Sequence, residues 1–103
     1  MSRSETSQNV LKWAKDKGIL NSNDESVMKQ TLKLVSEVGE LSDAIIQKDE
    51  SEIIDAIGDI QVVLTILCCQ LGLNEDECFK TAYNVIKNRT GKTVDGVFIK
   101  DSE

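Results

Sequence analysis

The chain has 103 residues, 40% hydrophobic and 29% charged, with a net charge of −6 and a pI near 4.6. That suffices for one domain over residues 1–103 with a modest core, and it is too acidic for general nucleic-acid binding, which needs a basic footprint. Histidine is absent, which excludes Ser-His and Cys-His catalysis, H-E-x-x-H zinc sites and the Glu-x-x-His pattern of di-iron bundles.

Proline is absent too, and β-branched residues fall in helical rather than alternating patterns, so an all-α protein is expected. The start, MSRSETSQN, carries no apolar signal segment, which predicts a cytoplasmic location. The longest apolar run, Ile60 to Cys69, is shorter than the roughly 20 residues of a membrane span, so no membrane association is expected. Cys68, Cys69 and Cys78 have no C-x-x-C spacing and are expected to be buried small hydrophobes in a reducing compartment.

The first helix is predicted over about Glu5 to Lys17, capped by Ser4 and closed by Gly18. Val10, Trp13 and Ala14 form its apolar face; Trp13, the only tryptophan, serves either as a core anchor or as a stacking platform for a base. Ser22-Asn23-Asp24-Glu25 has the form of a capping box, starting the second helix near Asn23. Val27, Leu34, Val38, Leu41 and Ile45 recur at helical spacing and should face the core. Glu37 and Glu40 lie three apart, on a different face.

A break is predicted near Gln47 to Glu50, with Asp49 and Glu52 capping a third helix that runs to Leu71 and stops at Gly72. From Ile53 onward that helix is apolar nearly all round, which predicts burial on most sides and a partner subunit. Asn74 and Glu77 cap a fourth helix, expected to reach about Thr90 before Gly91. The tail carries an Asp95-Gly96 turn between Val94 and Val97-Phe98-Ile99, consistent with a small hairpin or a strap over the bundle.

Acidity is concentrated in one place. Glu37 to Asp59 holds eight acidic residues and one basic residue, Lys48, for a net −7, so the remaining eighty residues sum to +1. Most of these acids have ordinary settings at helix starts or on solvated faces. Asp59 does not: it lies more than two turns into a helix, at the mouth of an apolar run, where an unpartnered carboxylate costs several kcal/mol, roughly. Glu37 and Asp59 are each eleven residues from Lys48, with Glu40 eight and Asp55 seven away. At about 1.5 Å per residue, a hairpin brings these four to two matching levels. With no lysine or arginine apparent nearby, their repulsion calls for a hard divalent cation, Mg²⁺ above all, with Mn²⁺ as the alternative ion. Gly39 and Gly58, costly inside helices, suggest close helix approach beside the ligands.

At these residues the chain resembles the MazG-like, all-α nucleoside triphosphate pyrophosphohydrolases, whose pattern is E-x-x-E on one helix and E-x-x-D on the next. Glu37-Val38-Gly39-Glu40 matches the first half, and Asp55-Ala56-Ile57-Gly58-Asp59 looks like the second. The likeness extends more loosely from about Lys29 to Lys100. Aligning Asp59 with the final Asp puts Ala56 where a Glu is usual. Either Asp55 substitutes from one position earlier or Glu52-x-x-Asp55 is the literal match; the matching levels favour Asp55 with Asp59.

The resemblance implies a four-helix, bundle-like domain that cleaves nucleoside triphosphates between the α and β phosphates, yielding the monophosphate and pyrophosphate. It implies Mg²⁺ held by Glu37, Glu40, Asp55 and Asp59, with Glu37 or Glu40 acting on the attacking water. It also implies phosphate recognition by the basic end of the fourth helix, Asn84, Lys87 and Arg89, although cations at a helix C-terminus are favourable in any case. A homodimer or homotetramer is expected. The alternative is a non-catalytic helical binding module whose acidic face takes a metal or a protein partner, and Ala56 is the feature that favours it.

Overall fold

The computed structural model describes residues 4–101. Four helices and a hairpin follow in order: α1 Glu5–Asp16, α2 Asp24–Gln47, α3 Glu50–Gln70, α4 Glu75–Ile86, β1 Gly91–Val94 and β2 Val97–Lys100. Each helix starts where a short polar side chain accepts an otherwise unpaired backbone N–H. Ser4 Oγ accepts from the Ser7 amide at 3.1 Å, and Asn23 Oδ1 from Ser26 at 2.8 Å. Asp49 Oδ1 accepts from Glu52 at 3.2 Å, and Asn74 Oδ1 from Glu77 at 3.0 Å. The cap of α2 is therefore Asn23 rather than Ser22.

Between α2 and α3 the chain reverses in two residues, Lys48 in the left-handed conformation (φ 58°) and the cap Asp49. This tight turn lays α3 back along α2, and α1 packs on another side of α3 without touching α2. Gln70, buried at the end of α3, donates to the carbonyls of Asn21 (3.0 Å) and Ile19 (3.4 Å), pinning the α1–α2 loop.

The α2–α3 seam follows a heptad rhythm. On α2 the inward positions are Val27, Gln30, Leu34, Glu37, Leu41 and Ala44; on α3 they are Ala56, Asp59, Val63, Ile66 and Gln70. An apolar stripe centred on Val27, Leu34 and Leu41 can lean toward either neighbour. It leans to the side that takes in Glu37 and Ala44, so Val38 and Ile45 face outward, against the sequence expectation.

Several other expectations are corrected. Helix α4 ends at Ile86 rather than near Thr90, because Gly91 opens a strand. There the backbone passes so close to Ile99 that a Cβ would collide with its carbonyl oxygen. The hairpin forms, with Asp95 (φ 51°) and Gly96 (φ 79°) at its turn and Val94 opposite Val97. It touches none of the helices, so it is not a strap. A Cβ at Gly39 or Gly58 would meet nothing within 4 Å, so neither marks a close approach inside the chain.

Cys78 is exposed, and Cys68 and Cys69 are half-buried. Trp13 is 51% exposed rather than a core anchor. On α3, Ile54, Ile57 and Leu64 remain exposed, and α4 buries no residue at all.

Helix α4 turns away from α3 by 104° and meets it only near their junction. The resulting radius of gyration, 16.4 Å, exceeds the roughly 13 Å of a compact chain this long. Among the described residues no single helix is long and apolar enough to cross a membrane.

Candidate functional site

The two carboxylates at the seam are the unusual ones. Glu37 is 6% exposed, on α2 between Leu34 and Leu41. Its Oε1 lies 3.5 Å from Lys33 Nζ, one turn back, and its Oε2 is buried without a hydrogen bond. Asp59, half-buried on α3, has its carboxyl held above the ordinary 3.8. Burial is the main cause, followed by the charges of Asp55 and Glu37 and a hydrogen bond shared with Asp55; Lys33 opposes them. The equal count of residues on either side of Lys48 thus brings Glu37 and Asp59 into each other's field.

Between α2 and α3 these groups open into a cavity of about 400 Å³ lined by Glu37, Glu40, Asp43, Glu52, Asp55 and Asp59, with Ala56 at its wall. All four predicted ligands share this one space. Two more acids line it as well: Asp43, expected on a solvated face, and Glu52, expected as a helix-start acid or as the first member of a literal Glu52-x-x-Asp55 match. Their signal was spacing: Asp43 is three residues past Glu40, and Glu52 three before Asp55. Lys33 was missed altogether and corrects the expectation of a cluster without a cation. Its signal was the i,i+4 interval to Glu37.

In kind, the donor set suits a hard divalent cation. It consists of oxygens only, one of them a buried carboxylate oxygen with no partner, and hard cations take oxygen ligands. As the side chains stand, no three acidic or cysteine side chains among the described residues are arranged to enclose an ion.

Trp13, Asn84, Lys87 and Arg89 do not join this cavity. Trp13 lies on α1, Asn84 on α4, Lys87 is the α4 C-cap and Arg89 follows it, and all four are exposed.

A second cavity, of about 570 Å³, lies on the α1 side of α3. Asp55 and Asp59 line it too, so this pair is reached from both sides of the helix.

Residues 12–84 of the chain match the phosphoribosyl-ATP pyrophosphohydrolase family, a span that contains every lining residue of the acid cavity. The chain belongs to that family. It is also 36% identical over 63 residues to an uncharacterized 18.2 kDa protein in the rep-hol intergenic region of Haemophilus phage HP1 (strain HP1c1). That match covers 61% of this chain and 37% of the phage protein, so the chain spans little more than a third of that relative's length. No solved structure matches the chain. The phosphoribosyl-ATP family is itself all-α and related to the MazG-like enzymes, and the helical architecture agrees with it.

Proposed function

We propose that the chain is a metal-dependent nucleotide pyrophosphohydrolase of the MazG-like kind, acting on nucleoside triphosphates. Water attacks the α-phosphorus, the bond from that phosphorus to the α–β bridging oxygen breaks, and pyrophosphate leaves with the electron pair, giving the nucleoside monophosphate. The observation that carries this reading is the pair Glu37 and Asp59, two acids at inward seam positions in the wall of a cavity lined by four more. Placing carboxylates there costs stability, and a catalytic site accounts for that cost.

Glu37, Glu40, Asp55 and Asp59 would hold Mg²⁺, or Mn²⁺ in its stead. When bound, such an ion neutralises phosphate oxygens and makes the α-phosphorus more electrophilic. Glu37 or Glu40 orients the attacking water and accepts its proton. Lys33 holds the Glu37 carboxylate toward the seam.

A homodimer or homotetramer is the assembly proposed. In support, α2 exposes a second apolar stripe, Met28, Leu32, Val35 and Ile46, and α4 exposes Phe79, Tyr83, Val85 and Ile86. Large apolar side chains left exposed along two helices are the kind of surface that protein interfaces cover. Trp13, Asn84, Lys87 and Arg89 contact substrate in this reading only if assembly brings them to an acid cavity. The reading places the domain over residues 1–103 in the cytoplasm. The binding-module alternative has Ala56 on its side, since this position at the cavity wall carries no carboxylate.

The test is pyrophosphate release from a panel of ribo- and deoxyribonucleoside triphosphates and phosphoribosyl-ATP, with and without Mg²⁺. Metal-dependent release identifies the enzyme and ranks its substrates. No release from any of them, with Mg²⁺ still bound, favours the binding module.

A further inference from the structure

The cavity on the α1 side of α3 has a polar post that the chemistry above does not use. Glu75, the first residue of α4, lines both this cavity and a neighbouring one of about 560 Å³. Its Oε1 accepts a 2.7 Å hydrogen bond from Thr65 Oγ1, and Thr65 is only 7% exposed. Its other carboxylate oxygen takes no hydrogen bond among the described residues. A buried hydroxyl spent on fixing one oxygen of a carboxylate leaves the second oriented as an acceptor. Beside it, Ser7 and Gln61 line both cavities. The neighbouring cavity adds the apolar Leu64, Cys68 and Phe79, with Asn74 and Asp76 also in its lining.

Along α3 these groups form a sequence. Asp59 and Thr65 are six residues apart, about 9 Å at the rise of an α-helix, and Asp59 opens into the same cavity as Thr65 and Glu75. A nucleotide whose phosphates sit at Asp55 and Asp59 must place its sugar next, because only the C5′–O5′ bridge separates the sugar from the α-phosphorus. Of the polar groups that share this cavity with Asp59, Glu75 is the one carboxylate besides Asp55, with Gln61 and Ser7 beside it.

The geometry points to the α1-side cavity as the nucleoside subsite, with Glu75 accepting the ribose hydroxyls and the base lying beyond, toward Leu64 and Phe79. This rests on the reading of the acid cavity as the phosphate site. A carboxylate suits a ribose because it accepts from both hydroxyls at once, and the 2′-deoxy sugar forfeits one of those bonds. Glu75 is thereby a specificity-determining residue that favours ribonucleotides.

The test is direct binding, which needs no turnover. The four common ribonucleoside monophosphates and their 2′-deoxy counterparts are titrated by calorimetry, with Mg²⁺ present, against the full chain, Glu75→Gln and Thr65→Val. Circular dichroism checks that each variant is folded. The full chain is expected to bind the ribo form roughly tenfold more tightly, the value of a hydrogen bond to a charged group. The ratio should fall to about one in Glu75→Gln and to an intermediate value in Thr65→Val, while affinity for the deoxy form stays nearly constant. Equal binding of the two sugars by the full chain, binding of neither, or equal loss of both in Glu75→Gln overturns the proposal. The last of these outcomes reduces the Thr65–Glu75 bond to a tie between α3 and α4. Pyrophosphate release from ribonucleoside triphosphates, assayed beside the titrations, separates the two failures: release without sugar discrimination overturns the subsite alone, whereas no release and no binding overturns the hydrolase reading as well.

Discussion

Lys33 Nζ stands 3.5 Å from Glu37 Oε1 on α2, while Glu37 Oε2, on the same carboxylate, is buried without a hydrogen bond. Lys33 is well exposed and Glu37 is not, so the lysine offsets only part of the cost of burial. Glu37→Leu, flanked by Leu34 and Leu41 on the seam, should therefore stabilise the metal-free chain by about 1–3 kcal/mol while removing Mg²⁺ binding. Urea unfolding with and without Mg²⁺ measures both effects.

Removing Lys33 should be felt at Asp59. Lys33 lowers that carboxyl while burial, Asp55 and Glu37 raise it, so Lys33→Met should move its titration further upward. Carboxyl-detected NMR across a pH series reads this directly.

The raised Asp59 carboxyl also fixes the sign of a pH dependence. Above the ordinary 3.8, the folded state holds a proton that the unfolded state has released, so the folded state binds more protons. Stability of the metal-free chain from this group is therefore full below that value. It is lost as pH rises through the elevated folded-state value. Asp59→Asn should flatten this slope and leave the chain more stable near neutrality. Thermal melts at several pH values provide the comparison.

Much of this arrangement was legible in the residues. Three of the four caps, the reversal at Lys48 and the pairing of Glu37 with Asp59 across it follow from local polar signals and equal residue counts, while the cap of α2 falls one residue later than the Ser22 capping box suggests. What could not be read was which way the α2 stripe leans. Val38 and Ile45 made the stripe look continuous without Glu37, yet the packed seam takes Glu37 inward and leaves those two outside, a choice that depends on α3. Helix α4 is shorter than its composition suggests, because helical composition runs on through Lys87 and Asn88 while the pairing of Gly91 with Lys100 claims the chain for a strand. Lys33 lies four residues before Glu37, outside the run of acids that the charge distribution singles out.

At the α2–α3 turn, Lys48 occupies the left-handed conformation at φ 58°, where a residue with a Cβ is strained by roughly 1 kcal/mol. Lys48→Gly should relieve that strain and raise the unfolding free energy by about 0.5–1 kcal/mol without changing catalysis. Denaturant unfolding beside the hydrolysis assay checks both halves.

The exposed stripe on α2 and the bare face of α4 predict an oligomer built through them. Tyr83 is 58% exposed, so Tyr83→Asp costs the single chain little, yet it should dissociate an assembly that buries this face. Sedimentation velocity on the two proteins should show a dimer or larger species giving way to monomer. A monomer in both contradicts the assembly.

The measurement that bears most directly on the central claim is thermal unfolding with and without millimolar Mg²⁺, run on the chain itself, Glu40→Gln and Asp59→Asn. Mn²⁺ binding is followed in parallel by paramagnetic resonance. If the carboxylates of α2 and α3 form a metal centre, Mg²⁺ raises the melting temperature of the unmodified chain, Mn²⁺ binds it, and both effects shrink sharply in the two variants. An unmodified chain whose melting temperature ignores Mg²⁺ and which binds no Mn²⁺ would contradict the metal centre, and with it the hydrolase built upon it.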